Sequence, residues 1–405
     1  MALHQPTSST SFTVGLPPEL NDKIIDCLRG DVETLSACSL TCRCWQPRAQ
    51  FHIFRTVILC PETYRPFARL LQSSPHLGHN VRALIFMHHG MYKSEEDESI
   101  AESMEVLSFI IQNAPLVRRL DYRLADLKHW LGPLLVELRA VEEVRMDQCS
   151  IPNLTALADM LCGFPRLKKL RIGDLYLPMN HRTADEDIVV VSPQRPLVSH
   201  PEIEVLRLSS GLVGGDIICA HFTKFLFADS MLSRLHTLEM NIRRHEDGLF
   251  WGHLLQTLGS VLQHLYFSLE PHDDSTDLTH IPLSLAPCTG LRTLSFWSLK
   301  LRPEVSVSTL VWVPLLLDQL RAPQLEQINF RIRAGGAEPP DMENLDWARI
   351  GDILCGQRFV NLKKVTFEIF RGAELRNKII PFIKGRMPGL EARGITRYFH
   401  RYHET

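Results

Sequence analysis

After residue 80 one short pattern of apolar and polar positions recurs: apolar-x-x-apolar-x-apolar. Its clearest copies are Leu167-Lys-Lys-Leu170-Arg-Ile172, Leu235-His-Thr-Leu238-Glu-Met240 and Leu291-Arg-Thr-Leu294-Ser-Phe296. Further copies begin at Val81, Val117, Val141, Ile203, Leu262, Leu325 and Leu362, making ten units, with a degraded eleventh at Leu390. Start-to-start spacings run from 24 to 37 residues. The last two apolar positions lie two apart, so a strand points them to one side. Helix-compatible apolar stretches, such as 154–161 and 347–354, precede the copies, and Pro115, Pro165, Pro201 and Pro323 lie between such stretches and the next strand. One such strand cannot bury its own leucines. Strands stacked in parallel, with helices behind, share one continuous core. The spacing therefore predicts an α/β solenoid over residues 60–405.

The unit Val141-x-x-Val144-x-Met146-x-x-Cys149-x-Ile151 includes a turn cysteine, whereas Leu291 to Leu301 keeps the spacing without it. The pattern resembles divergent leucine-rich repeats, which implies an irregular horseshoe with long inserts. The alternative is an ordinary α/β domain with parallel strands. Residues 174–200 and 333–344 read as exposed loops. Ser94-Glu-Glu-Asp-Glu-Ser reads as the solvated first turn of a helix.

Ahead of the array lies a different pattern. Pro17 and Pro18 can open a helix, where the first amides have no internal partner. Leu20, Ile24, Ile25 and Leu28 then recur at helical spacing. Gly30 stops that helix and Asp31 caps the next. Leu35, Cys38, Cys42 and Trp45 form a second stripe, and Phe51, Phe54 and Val57 close the unit. About 45 residues are too few to bury all of these groups. Some of this apolar surface is meant for a partner, or else Leu16, Ile24 and Leu28 cover the first turns of the solenoid.

Leu16-Pro17-Pro18-Glu19-Leu20, Ile24, Ile25, Leu28, Leu35, Ser39-Leu40-Thr41 and Cys42-Arg43-Cys44-Trp45 together resemble the F-box pattern over residues 13–59, after a tail at 1–12. The resemblance implies three short helices that dock on a Skp-family adaptor and, through it, a cullin. By position, Leu16, Pro17, Ile24, Ile25, Leu28, Leu40 and Trp45 would serve docking or the module's core. Leu40 stands where the family usually has Val.

Bulk properties add limits rather than a function. The chain has 405 residues, a formal charge of -2 and 45% hydrophobic residues. That balance gives no general attraction to nucleic acid or membrane. The ten cysteines are scattered through apolar runs, as expected of reduced thiols in cytoplasm or nucleus. Residues 1–15 do not read as a signal peptide, and 310–317 is too short to span a membrane. No phosphate loop, dinucleotide fingerprint, nucleophile elbow or H-E-x-x-H occurs. Cys38, Cys42, Cys44 and His52 lack the spacing of common zinc modules. His88-His89, His272-Asp-Asp, His400-x-x-His403 and the glycines at 211–215 read as loop or tail features. The expectation is a non-catalytic protein without cofactor or metal.

Binding would then fall to side chains alternating with the buried leucines. In units two to five these are Arg119, Asp121, Glu143, Arg145, Lys169, Arg171, Val205 and Arg207, five basic and two acidic. Cross-strand pairing of Arg119 with Glu143 and of Asp121 with Arg145 would neutralise part of the row. Lys169, Arg171 and Arg207 remain as a candidate dock for an acidic or phosphorylated segment. Later units turn neutral: His264, Tyr266, Thr293, Ser295, Gln327 and Asn329.

Overall fold

The computed structural model describes residues 16–87, 97–125, 127, 138–176, 201–209, 212–213, 231–242, 247–269, 283–301, 310–334, 339–370 and 373–401. The glycines at 211 and 214–215, the histidine pair at 88–89, His272-Asp-Asp, His403, the tail at 1–12 and most of the 174–200 insert lie outside them.

Three helices open the chain: α1 (Pro18–Cys27), α2 (Val32–Thr41) and α3 (Gln46–Phe54). Pro18 stands at the start of α1. Gly30 has φ +101°, a left-handed turn that glycine takes without a Cβ clash. The Asp31 carboxylate then accepts from the Thr34 amide at 3.0 Å and caps α2.

Twelve strands follow in one wholly parallel sheet: β1 (Thr56–Leu59), β2 (Ala83–Met87), β3 (Arg119–Arg123), β4 (Glu143–Asp147), β6 (Lys169–Ile172), β8 (Val205–Ser209), β10 (Thr237–Ile242), β11 (His264–Leu269), β12 (Thr293–Leu301), β13 (Gln327–Ala334), β14 (Lys364–Phe370) and β15 (Thr396–Arg401). They lie side by side in chain order. That order defines an α/β solenoid of leucine-rich-repeat type: each unit pairs only with its sequence neighbours. Three short strands, β5 (Cys149–Ser150), β7 (Leu175–Tyr176) and β9 (Leu212–Val213), form a second parallel sheet. Cys149, the turn cysteine, is buried and its thiol donates to the Tyr122 carbonyl at 3.3 Å. Burial pushes that thiol up to about 11.

The leading residue of each of the ten units is buried, from Val81 to Leu362. Behind the sheet pack α4 (Tyr64–Ser73), α5 (Asp97–Gln112), α6 (Leu154–Cys162), α7 (Asp247–Leu258), α8 (Trp312–Gln319), α9 (Trp347–Cys355), α10 (Ala373–Arg386) and α11 (Pro388–Ala392). In the later units the third apolar position is aromatic. Phe296, Phe330, Phe367 and Tyr398 stack in a column with ring centroids 5.2–5.4 Å apart.

Four sequence readings need correction. Thr56, Val57 and Leu59 pair with Ala83, Leu84 and Phe86. Phe54-x-x-Val57-x-Leu59 is therefore a further unit ahead of Val81, and Phe54 and Val57 join the solenoid core instead of closing the helical module. At the other end, Val365 pairs with Thr396 and Phe367 with Tyr398. The last unit thus starts at Arg393, not Leu390. Its three inward positions are Arg393, Thr396 and Tyr398, a polar version of the motif. The Arg393 guanidinium donates to the carbonyls of Leu354, Phe359 and Leu362, and Thr396 and Tyr398 both donate to Glu391. His400, expected in a loop or tail, instead lies in this final strand, Thr396–Arg401, opposite Ile369. Last, the 333–344 segment is not all loop: β13 reaches Ala334, and Met342 is buried with its carbonyl accepting from the Trp347 indole at 2.6 Å.

Candidate functional site

Two surfaces stand apart from the packed body. The first belongs to the helical module. Its own core holds Ile25, Leu35, Cys38 and Ala49, with Leu28, Trp45 and Ile53 packed against it. One carboxylate ties α1 to α3: Asp26 accepts from Arg48 at 2.6 and 2.7 Å and from His52 at 2.7 Å. The hydrogen bond from Arg48, then that from His52, holds the Asp26 carboxyl well below the usual carboxylate range. The Trp45 indole donates to Asn21 at 3.3 Å.

Ile25 is therefore core, fully buried, and Leu28 and Trp45 are partly so. Leu16, Pro17 and Ile24 are exposed, Leu16 by 54% and Ile24 by 44%, and Leu40 by 88%. Leu20 and Val32 join them, at 43% and 57%. Pattern reading missed Val32, which follows the cap and belongs to no apolar stripe. Cys38, Cys42, Cys44 and His52 do not converge as ligands. Cys38 is core, His52 is bound to Asp26, and no metal-holding cluster occurs among the described residues.

The second surface is the sheet face opposite the helices. Arg119 does stand beside Glu143, and Asp121 beside Arg145. The ion pairs nevertheless run elsewhere. Asp121 binds Arg123 at 2.9 Å, two residues along its own strand, and Glu143 binds Arg145 at 2.9 Å and Arg171 at 3.3 Å. Arg207 pairs with Glu239 at 3.4 Å. Arg171 and Arg207 are thus not the free cations expected from pairing across adjacent strands alone. Only Lys169 of that trio is exposed and makes no ion pair among the described residues.

The later half of the same face holds an aromatic feature. Phe296 pairs with Phe330, but Leu299 pairs with Ile332, so Trp297 and Ser298 together oppose Arg331. Ser298 has φ +59°. This bulge re-aims one side chain. The Trp297 ring lies 5.1 Å from Tyr266 and 4.9 Å from the Arg331 guanidinium, which also lies 4.9 Å from the Phe370 ring. Two adjoining cavities of about 420 and 310 Å³ share Trp297 and Arg331. On one side Gln327 donates to Asn329 at 2.7 Å and Asn329 to Ser295 at 2.8 Å. Three buried polar atoms lining the cavities, Thr366 Oγ1, Ser268 Oγ and Asn241 Oδ1, have no hydrogen-bond partner. Aromatic anchors beside an arginine and unsatisfied polar groups are the makings of a contact hot spot. Sequence reasoning missed Trp297. Its signal was a tryptophan at a position that other units fill with Arg123, Asp147, Ser209, Asn241 or Ser268.

No known family profile and no curated protein matches the chain. Among solved structures, it is similar to a chain of the yeast Rad7 and Elc1 complex, at 13% identity over 92% of this chain and 86% of that one, with a TM-score of 0.39. It is also similar to the TLR13–ssRNA13 complex (12% identity, 76% of this chain and 36% of that one, TM-score 0.30). A third is the Leptospira interrogans leucine-rich-repeat protein LIC12759 (11%, 89% and 97%, TM-score 0.28). The fold assignment rests on the strand order and the repeat register, not on these likenesses.

Proposed function

We propose that the chain is a substrate-recognition adaptor of an SCF-type cullin–RING ubiquitin ligase, working in cytoplasm or nucleus. The helical module, read as an F-box, binds a Skp-family adaptor, and the open sheet face holds a protein substrate. No residue of this chain acts as nucleophile or base. The gain is proximity, a substrate held where other subunits transfer ubiquitin to it.

One observation carries the reading. A module with a core of four buried residues leaves Leu16, Leu20, Ile24, Val32 and Leu40 exposed. Isolated exposed leucines are ordinary, but several on two short helices match a docking patch. The test is affinity capture with the full chain. A Skp-family protein should co-purify with it and be lost from Leu16→Ala with Ile24→Asp. Undiminished recovery with that variant rejects the docking face.

A second reading has its own observation. Helix α3 runs directly into β1, and Phe54 packs into the solenoid core. A leucine-rich-repeat scaffold with a helical cap and no ligase would look the same at that joint. It predicts that no Skp-family protein binds the wild-type chain.

A further inference from the structure

A backbone ladder runs along one edge of the open face. The Arg55 carbonyl accepts from the amides of Arg82 and Ala83, that of Arg82 from Arg118 and Arg119, and so on to Glu326 with Lys363 and Lys364. Residues in this row stand just before adjacent strands, whose backbones run about 4.8 Å apart. Along most of the row the signs oppose or lapse into neutral residues. Arg118 faces Glu142 at 3.7 Å, Lys168 binds Glu204 at 2.9 Å, and Lys363 binds Glu326 at 2.9 Å.

The first three rungs break that rule: Arg55, Arg82 and Arg118 are consecutive arginines. Like charges on neighbouring strands are destabilising. Arg55 and Arg82 both lie 5.9 Å from the Phe51 ring, and Arg48, 5.1 Å from it, is neutralised by Asp26. The helical module adds to the excess through Arg29, which faces the same space. That space is a cleft of about 730 Å³ between the helical module and the first strands, reaching Arg119 and Lys169 on the open face. Its two carboxylates are already engaged, Glu142 by Arg118 and Glu143 by Arg145 and Arg171. Arg29, Arg55, Arg82, Arg119 and Lys169 make no ion pair among the described residues. Arg119 Nε is also buried without a hydrogen-bond partner. Desolvation, then the charges of Arg29 and Arg82, pull Arg55 below the usual arginine range.

We infer that this cleft binds an acidic peptide segment, its Asp and Glu carboxylates held by Arg29, Arg55, Arg82, Arg119 and Lys169. Guanidinium forks match carboxylates in pairs, and the cleft supplies several at strand spacing. A peptide fits better than nucleic acid, because the aromatic rings lining the cleft are already engaged: Phe51 lies against three guanidinium groups, and His52 is buried and bound to Asp26, which leaves neither for base stacking. The inference deepens the reading that the solenoid captures a protein. It does not depend on adaptor docking.

The test is fluorescence anisotropy on the full chain alone, with a labelled peptide rich in Glu and Asp. Its Gln and Asn counterpart and a single-stranded RNA of equal charge serve as comparisons. The acidic peptide should bind, weaken with added salt, and lose about tenfold or more in affinity with Arg29→Glu plus Lys169→Glu. Arg349→Glu plus Lys378→Glu, an equal charge change at exposed positions of α9 and α10, should cost less than about twofold. Where charge reversal lowers the melting temperature, Arg29→Gln with Lys169→Gln must still give the larger loss. No binding, equal losses from both sites, or RNA binding as tightly as the peptide overturns the inference. Because no adaptor is present, those results leave the Skp-family capture experiment to stand or fall separately.

Discussion

The helical module and the solenoid solve the same problem in opposite ways. The solenoid stacks its apolar positions into one continuous core, from Leu59 to Leu390. The module has a core of four buried residues and holds its helices together with Asp26, Arg48 and His52. A repeat array can add apolar surface without limit, since every unit covers its neighbour. A three-helix unit of this size cannot, and its remaining leucines face outward. Stability and binding are thus separated by burial: substitutions in the packed core or in the ties between helices should move melting, and substitutions of exposed side chains on the module or the open face should move partners.

The largest expected effect tests that separation in the array. Phe330 stacks between Phe296 and Phe367, so Phe330→Ala should cost about 3–5 kcal/mol, read from denaturant unfolding. A loss below about 1 kcal/mol would mean the column does not carry the later units. Next comes the aromatic trough. Trp297→Ala should weaken substrate capture by about 2 kcal/mol, some thirtyfold, with little change in melting because the side chain is only half-buried. Capture unchanged by this variant would move the substrate away from the trough.

A smaller effect belongs to the module. Asp26→Asn should remove about 1 kcal/mol, discounted because the carboxylate is 39% exposed. The sign follows from its lowered native pKa. The Asp26 contribution is complete above the ordinary value of 3.8 and declines as pH falls below it. An Asp26→Asn chain should therefore show a shallower acid limb of stability in that range. An identical limb in both chains would remove Asp26 from the account. The smallest effect is Lys363→Ala: its pair with Glu326 is exposed and screened, so the denaturant midpoints of the two chains should coincide within error, and a clear shift would give this surface pair a structural role.

The array was legible because its period is imposed by burial: all ten leading residues found by spacing are buried. The two terminal units were not. Phe54-x-x-Val57-x-Leu59 fits the motif, but its first residue ends α3, and a helical reading of Phe51 and Phe54 concealed it. The last unit replaces apolar residues by Arg393, Thr396 and Tyr398, so no apolar spacing marks it. The split of the module into docking and core positions was half legible. Ile24 and Ile25 are adjacent and equally apolar, and only the packing of α1 on α3 decides which is buried. The ion pairs of the open face were least legible, because Glu143 can reach Arg145 along its strand as well as Arg171 across the sheet.

The separation of binding from folding is tested most directly by titrating a purified Skp-family adaptor into the full chain and into Ile24→Asp, with the melting of each recorded. The account predicts a saturable complex with the wild-type chain, a loss of affinity of about tenfold or more in the variant, and melting curves that overlay. Equal affinity in both chains, or a variant that fails to bind only because it has unfolded, would contradict it.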